Sequence, residues 1–262
     1  MATYRLVIEY NGRAFAGFQT QLNQVTVQST LEAALAQHFD KERVIIHGSG
    51  RTDAGVHALG QVVSFRVDVE RDPVHLRRGL NTALPPELSV ILAERMPESF
   101  HARFTATGKT YRYRVYNRPD RSPFLTGFAL HRFRPLDWSA IEAAMPALVG
   151  THDFTTFRGA GCVAKSPVRT VDRAAHVDVG GGEHHLEFHG NGFLRYQVRR
   201  MVGTLLDVGE RRRPPEDVAA ALAACDPKRS GRTARPEGLY LVSVDYPPES
   251  LIFEGFSEAA PA

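Results

Sequence analysis

Hydrophobic positions in the first hundred residues follow two periods, which predicts strands and helices in a defined order. Apolar and aromatic side chains recur at every second position over residues 4–10, which is typical of a half-buried strand, and at every fourth position over residues 27–39, which predicts a helix. The pattern then predicts strand, strand, helix and strand over residues 44–50, 61–67, 74–83 and 88–95. The order β-α-β-β-α-β is that of a ferredoxin-like unit, an antiparallel sheet with two helices on one face.

The second part of the chain repeats this order more loosely. Strands are predicted over residues 109–117, 170–179, 184–189 and 238–246, and helices over residues 137–149, 193–210 and 215–224. Thr105, Thr107 and Gly108 interrupt the pattern, which predicts halves at 1–106 and 107–247 and a peripheral tail at 248–262. We expect an α+β fold in which two ferredoxin-like halves join into one mostly antiparallel sheet, with the helices on one face and a cleft between the halves.

The charge of the chain is balanced overall but unevenly placed. Its 262 residues include 32 Lys and Arg against 29 Asp and Glu, a formal net charge of +3. The cations fall in clusters around Arg77, Arg112, Arg195, Arg211 and Lys228, and five such clusters together favour a nucleic acid partner. Only two cysteines are present, and neither a leader nor a long apolar run is visible. We therefore expect a cytoplasmic protein without a membrane segment.

One loop carries the strongest candidate for chemistry. Asp53 lies between Gly50 and Gly55, two residues after Arg51. A phosphate cradle is a poor interpretation, because a carboxylate repels phosphate and no Lys-Ser or Lys-Thr pair follows the glycines. A carboxylate that a nearby cation holds ionised suits catalysis, but Asp53 paired with Arg51 merely to fix a turn is an equal alternative from the loop alone.

Three further segments contain side chains that suit RNA. Tyr111 lies in a predicted strand that alternates aromatic and cationic residues, a pattern with which proteins stack on bases and contact phosphates. Arg195 and Arg199 lie four residues apart on one face of a predicted helix. The first turn combines glycines with aromatics and amides that look exposed, including Phe18 and Gln19. For Tyr111 a place in the core is an open alternative, and for the two arginines a solvated face.

A group of histidines raises the question of a metal site. His184, His185 and His189 lie within one predicted strand, in which His185 and His189 share a face. Histidines that share one strand face are weak evidence for a metal, so a metal site is disfavoured.

Six segments, taken in order, closely resemble the tRNA pseudouridine synthase A family. They are residues 50–58, 109–113, 150–154, 165–169, 192–203 and 237–241. The run Arg-Thr-Asp-Ala-Gly-Val-His from Arg51 to His57 is highly specific, and the order of the others is hard to imitate by chance. Gln197 stands where the family has a methionine, and Phe15 and Phe18 stand where other members carry Tyr or Trp. These differences affect packing or stacking but not the chemistry.

The resemblance implies an enzyme that converts uridines at positions 38 to 40 of the tRNA anticodon stem-loop into pseudouridine, without cofactor or metal. It also implies a homodimer and an RNA-binding cleft between the halves. The reaction breaks the N1 glycosidic bond and rejoins uracil through C5, so the base must be flipped out of the stack. Asp53 would attack C1′ or ring C6, or assist loss of the 2′ proton, and the sequence does not choose among these routes.

The same resemblance assigns roles to further residues. Arg51 or Arg199 would pair with Asp53 and occupy the space that the flipped base vacates. Tyr111 would stack on the uracil, and its hydroxyl would help to remove the C5 proton. The phosphates would be held by Lys165, Arg169 and the clusters at Arg77 and Arg211. Three more residues are expected to bind the substrate: Phe18, Gln19 and His57.

Two other functions remain open on the sequence. A non-catalytic RNA-binding protein made of two ferredoxin-like halves would use the basic clusters and Tyr111, although it has no use for the acid. A uracil-releasing glycosylase would flip the same base and use water as the acceptor.

Overall fold

The computed structural model describes residues 1–252, which form ten strands and five α-helices. The first half contains β1 Ala2–Tyr10, α1 Val27–Phe39, β2 Ile46–Gly48, β3 His57–Val67, α2 Pro73–Ala83 and β4 Leu88–Met96. The second half contains β5 Gly108–Asn117, β6 Leu130–Arg132, α3 Trp138–Ala144, β7 Gly150–Asp153, β8 Val168–Gly180, β9 Glu183–Gly190, α4 Gln197–Gly209, α5 Asp217–Ala223 and β10 Leu239–Asp245.

One continuous sheet runs through both halves in the strand order β4-β1-β3-β10-β5-β9-β8-β7, with β2 on β3 and β6 on β5. Within it, β4-β1-β3-β2 and β10-β5-β9-β8 each follow the ferredoxin-like order. The halves join where β10 pairs in parallel with β3, which places Tyr240 opposite His57 and Leu241 opposite Ala58. The predicted α+β fold with a mostly antiparallel sheet is confirmed.

The helices pack on one face of this sheet. Tyr4, Leu6 and Ile8 of β1 are fully buried there, in a core that extends without a break from α1 and α2 to α4. Thr26 caps α1, and its hydroxyl and that of Ser29 accept hydrogen bonds from each other's backbone amides, which fixes where the helix begins. On the opposite face, residues 97–105 cover a small cluster that includes Met96, and that cluster contains no helical residue among residues 1–252.

The structure differs from the prediction mainly at short or interrupted elements. The helix predicted over residues 137–149 changes at Met145 into a 3₁₀ turn, because Pro146 has no amide hydrogen to continue an α-helix. The helix predicted from residue 193 begins at Gln197, because Tyr196 has a left-handed backbone with φ of 63°. Strands β6 and β7 were not predicted. Of the predicted tail, only residues 248–252 lie within the described residues, and Pro248–Leu251 forms a short 3₁₀ turn there.

None of the helices in residues 1–252 has the length and apolar character needed to cross a membrane.

Candidate active site

The loop that carries Asp53 connects β2 to β3 and is held tightly by the first turn of the chain. Gly12 packs so closely on it that a Cβ atom there would lie 2.0 Å from the carbonyl oxygen of Val56. Gly17 has φ of +106°, and the next amide, of Phe18, donates a hydrogen bond to the Thr52 carbonyl at 3.0 Å. The hydroxyls of Tyr10 and Thr52 lie 2.7 Å apart. The loop is therefore a rigid support for the carboxylate.

Arg199, not Arg51, pairs with Asp53. The Nη1 atom of Arg199 donates to Oδ2 of Asp53 at 3.1 Å, in a pair whose side chains are only 13% and 24% exposed. Arg199 is fixed in turn, because its Nε donates to the Ala234 carbonyl at 2.7 Å and its own carbonyl accepts from the Ala234 amide at 3.0 Å. Arg51 is exposed and forms no ion pair within residues 1–252, so the alternative in which it fixes a turn with Asp53 is wrong.

Burial and charge act in opposite directions on the Asp53 carboxyl. Burial raises its pKa above the usual value, whereas the charge and hydrogen bond of Arg199, together with the charge of Arg195, lower it. The net effect is a raised pKa, which means that Asp53 ionises in a poorly hydrated environment and depends on Arg199 to do so. A poorly hydrated carboxylate is a stronger nucleophile than a fully solvated one.

Tyr111 of β5 completes the group. Its side chain is buried, with 8% exposure, and its ring meets that of Phe193 edge to face at a centroid distance of 5.2 Å. Burial, with smaller contributions from Tyr10 and Asp53, raises the pKa of the Tyr111 hydroxyl, which therefore keeps its proton. No group within residues 1–252 hydrogen-bonds this hydroxyl, so it is free to contact a substrate. Asp53 from one half thus converges with Tyr111 and Arg199 from the other, at the junction of the two.

Two residues beside this group were not predicted as site residues. Lys109 donates from Nζ to the Ser49 carbonyl at 2.8 Å, and burial lowers its pKa to about 8. Tyr196 lies under two guanidinium groups, with the Cζ atoms of Arg195 and Arg199 at 4.9 and 5.1 Å from the ring centroid. The sequence held a signal for Lys109, because it is two positions before Tyr111 and so shares its face of the strand.

Two predicted substrate contacts are buried instead. Phe18 is 3% exposed and lies against Gly48, so the interpretation of an exposed aromatic is wrong. His57 is 1% exposed, and its ring stacks on Tyr240 at 4.6 Å. Its Nδ1 accepts from the Gly12 amide at 3.2 Å, and burial lowers its pKa to about 4. His57 therefore supports the junction of the two halves, and its contact with substrate stays a prediction. Gln19 is exposed next to Phe18, and its contact with substrate stays a prediction.

The predicted phosphate contacts differ in their surroundings. Lys165 is exposed, and within residues 1–252 its side chain forms no hydrogen bond or ion pair. Arg169 is half-buried, with Nη1 donating to the Ser166 carbonyl at 3.0 Å, and its positive charge helps to lower the pKa of Lys109. Arg211 pairs with Asp137 at 3.1 Å and Arg112 with Glu187 at 2.8 Å, so two of the basic clusters have carboxylate partners already.

The three histidines of β9 have other partners. His184 stacks on Trp138 at a centroid distance of 4.0 Å, His185 pairs with Glu183 at 2.8 Å, and His189 lies between Asp172 and Asp245 at 3.0 and 2.8 Å. Within residues 1–252, no three His, Cys, Asp or Glu residues are grouped so that they could hold a metal ion.

Comparison with known proteins identifies the family. A family model described as tRNA pseudouridine synthase matches residues 6–105 and 144–247. The tRNA pseudouridine synthase A of Syntrophotalea carbinolica is 43% identical over 254 residues, which cover 96% of this chain and 99% of that protein. The chain belongs to the tRNA pseudouridine synthase family. The resemblance inferred from six sequence segments is thereby confirmed.

Other pseudouridine synthases of the same name align as fully. The tRNA pseudouridine synthase A of Streptococcus thermophilus is 40% identical over 247 residues, 94% of this chain and 100% of that protein. The one from Chromobacterium violaceum is 43% identical over 244 residues, 93% of each chain. As a member of the pseudouridine synthase family, the chain is an isomerase that acts on tRNA. The individual roles of Asp53, Tyr111 and Arg199 are the subject of the proposal below.

Proposed function

We propose that this protein isomerises uridine to pseudouridine at positions 38 to 40 of the tRNA anticodon stem-loop, with Asp53 as the nucleophile on a flipped-out uridine. The observation that carries the proposal is the Asp53–Arg199 pair beside Tyr111, at 3.1 Å across the junction of the two halves. A cationic pocket that served only to bind RNA would attract phosphate, and a buried carboxylate at its centre would oppose that binding.

The reaction requires four bond changes. The N1–C1′ bond breaks, a C5–C1′ bond forms, the C5 proton leaves to water, and N1 takes up a proton from water. Asp53 supplies an electron pair to C1′ or to ring C6, or accepts the 2′ proton, and each route begins with the ionised carboxylate that Arg199 stabilises. In this proposal the Arg199 guanidinium also approaches the space that the flipped uracil leaves.

The raised pKa of Tyr111 separates two roles that the sequence left together. A hydroxyl that keeps its proton is a poor base, so removal of the C5 proton by Tyr111 is disfavoured. Its unpartnered hydroxyl instead suits donation of a hydrogen bond to a uracil carbonyl, and its ring stacks on the uracil in this proposal.

We also propose that the protein acts as a homodimer, which light scattering at micromolar concentration would test.

The decisive experiment uses tRNA that carries tritium at uracil C5. Formation of pseudouridine must release the label to water, because C5 becomes bonded to the sugar. We expect release by the wild-type protein and none by Asp53→Asn, whose tRNA affinity should stay within roughly tenfold of wild type. Because the pKa of Asp53 is raised in the folded protein, its charge does not stabilise the fold, so Asp53→Asn should unfold at a similar urea concentration.

Three results would contradict the proposal in different ways. Free uracil that keeps its tritium would indicate a glycosylase. Binding of tRNA without release of tritium to water would indicate a non-catalytic RNA-binding protein. Unfolding of Asp53→Asn would give Asp53 a structural role. Mapping the product to positions other than 38 to 40 would overturn the proposed site within the tRNA.

A further inference from the structure

A row of three rings lies on the surface next to the catalytic loop, and none of the roles above uses it. Phe104 is 78% exposed, its ring centroid is 4.4 Å from that of His101, and His101 is 4.9 Å from His47. The interplanar angles of 35° and 32° show that the rings overlap in a tilted row rather than meeting edge to face. We call these three residues the ring row.

The backbone that carries His101 and Phe104 is anchored although the rings are exposed. The Nδ1 atom of His101 accepts hydrogen bonds from the amides of Arg103 and Phe104 at 3.1 and 3.3 Å. Ala102, between them, is fully buried, and its amide donates to the Ser64 hydroxyl of β3 at 3.0 Å. The backbone beneath the Phe104 ring is thus anchored by three hydrogen bonds. A base that stacks on this ring therefore costs little backbone conformational entropy.

Positive charge surrounds the ring row. The guanidinium of Arg103 lies 5.6 Å from the Phe104 centroid, and Arg103 and Arg169 are close enough to Lys109 to contribute to its lowered pKa. Lys109 itself has no carboxylate partner within residues 1–252, since its Nζ donates only to a backbone carbonyl. A stacking ring beside unneutralised cations complements a nucleotide, which presents a flat base and a phosphate together.

The ring row adjoins the site of chemistry. His47 is the residue before Gly48, at which β2 ends and the Asp53 loop begins, and Lys109 contacts the carbonyl of Ser49 in that loop. Lys109 also shares a strand face with Tyr111. The ring row and the Asp53 loop therefore meet near Lys109, which contacts the loop through Ser49 and lies close enough to Arg103 to respond to its charge.

We propose that Phe104, supported by His101 and His47, stacks on an unpaired base of the RNA substrate outside the Asp53 pocket, and that Arg103 and Lys109 contact the adjoining phosphates. This inference rests on the proposed function, because it takes the substrate to be an RNA with unpaired nucleotides near the target uridine. Arg103 beside the Phe104 ring and Lys109 without a carboxylate partner favour a base with its phosphate as the occupant of the ring row.

The test compares matched variants on an anticodon stem-loop RNA with 2-aminopurine at single loop positions, whose fluorescence falls when the base stacks. Phe104→Ala should bind roughly tenfold more weakly and lose the quenching at one loop position, while Phe104→Tyr should keep both. Phe133→Ala is the control, because Phe133 is also exposed, at 61%, and lies 5.4 Å from the guanidinium of Arg134, but has no ring row. Arg103→Ala should reduce the slope of log affinity against log salt by roughly one.

The same variants separate this inference from the proposed function. In the tritium assay Phe104→Ala should raise KM about as much as it weakens binding and leave kcat near wild type. If the wild-type protein releases tritium but Phe104→Ala binds and quenches normally, the ring row is not a base-stacking site although the function stands. If Phe104→Ala loses quenching while the wild-type protein releases no tritium, the stacking site stands and the function fails. An altered sedimentation coefficient for Phe104→Ala would instead make this face a contact between copies and overturn the inference.

Discussion

Arg199 controls the ionisation of Asp53, and the two side chains come from sequence positions far apart. Its guanidinium opposes the effect of burial on the carboxyl, which otherwise raises the pKa further. The nearer arginine, Arg51, has no such effect because its side chain points into solvent.

The pH dependence of activity should therefore distinguish the two arginines. Activity requires ionised Asp53, so kcat/KM should fall as the pH drops through a pKa above the ordinary aspartate value. Arg199→Gln should move this acid limb to higher pH and lower kcat, whereas Arg51→Gln should leave the limb in place. Tritium release measured from pH 4.5 to 8 checks both, and an unshifted limb in Arg199→Gln would show that the pair does not set the pKa.

At the residue scale, the sequence predicts the role of a side chain when the residues that determine that role lie nearby in the chain. Asp53 and Tyr111 could be singled out because a short motif surrounds each. The choice between Arg51 and Arg199 could not be made, because it depends on α4 packing against a loop that is 146 residues away in sequence. Phe18 was interpreted as exposed because loop composition carries no information on burial, and the structure buries it. It also buries His57, which the sequence offered as a substrate contact.

At the scale of elements, α4 positions Arg199 through an unusually close contact. A Cβ atom on Gly203 would lie 1.7 Å from the carbonyl oxygen of Arg232, so the helix can approach residues 232–234 only because residue 203 lacks a side chain. The same segment includes Ala234, whose carbonyl anchors Arg199. The position of one helix thus determines the geometry of the ion pair.

Gly203→Ala should therefore damage both stability and chemistry. We expect a loss of about 2 kcal/mol or more in the free energy of unfolding, because the helix must move away from a rigid backbone, and a drop of roughly tenfold to a hundredfold in kcat. Urea unfolding and tritium release measure these. Gly79→Ala in α2 is the control: its new methyl group would meet only the movable His38 ring, and alanine favours a helix, so stability should hold or rise.

Elements with a long, regular pattern were the ones that the sequence predicted well. Helix α1 spans the predicted residues 27–39, because its apolar period and its cap agree. Strands β6 and β7, of three and four residues, were missed because so few positions cannot show alternation. The late start of α4 was missed because a left-handed Tyr196 is set by its tertiary surroundings and has no signature in composition.

At the scale of the whole molecule, residues 1–252 form one sheet and one principal core, although the sequence divides into two ferredoxin-like halves. β10 pairs with β3 on one side and with β5 on the other, and the buried cluster beneath the helices includes residues of both halves. Neither half keeps its neighbours if the other unfolds, so the two should lose structure together.

Unfolding by urea should accordingly be a single transition. The one tryptophan, Trp138, lies in the second half and stacks on His184, so its fluorescence follows that half, while far-UV circular dichroism follows both. We expect the two curves to have the same midpoint. A fluorescence midpoint separated from the circular dichroism midpoint would show that the halves unfold independently.

The placement of β10 also constrains when a growing chain can acquire its function. The edge of β3 at His57 and Ala58 has no permanent partner until Tyr240 and Leu241 have left the ribosome, and Arg199 cannot be anchored before Ala234 emerges. Synthesis proceeds from the N-terminus at about 5–20 residues per second, so the aspartate loop waits on the order of ten seconds for the arginine and strand that complete it. During that interval the nascent chain exposes a strand edge, which is where a chaperone would bind it and where misassembly between nascent chains would begin.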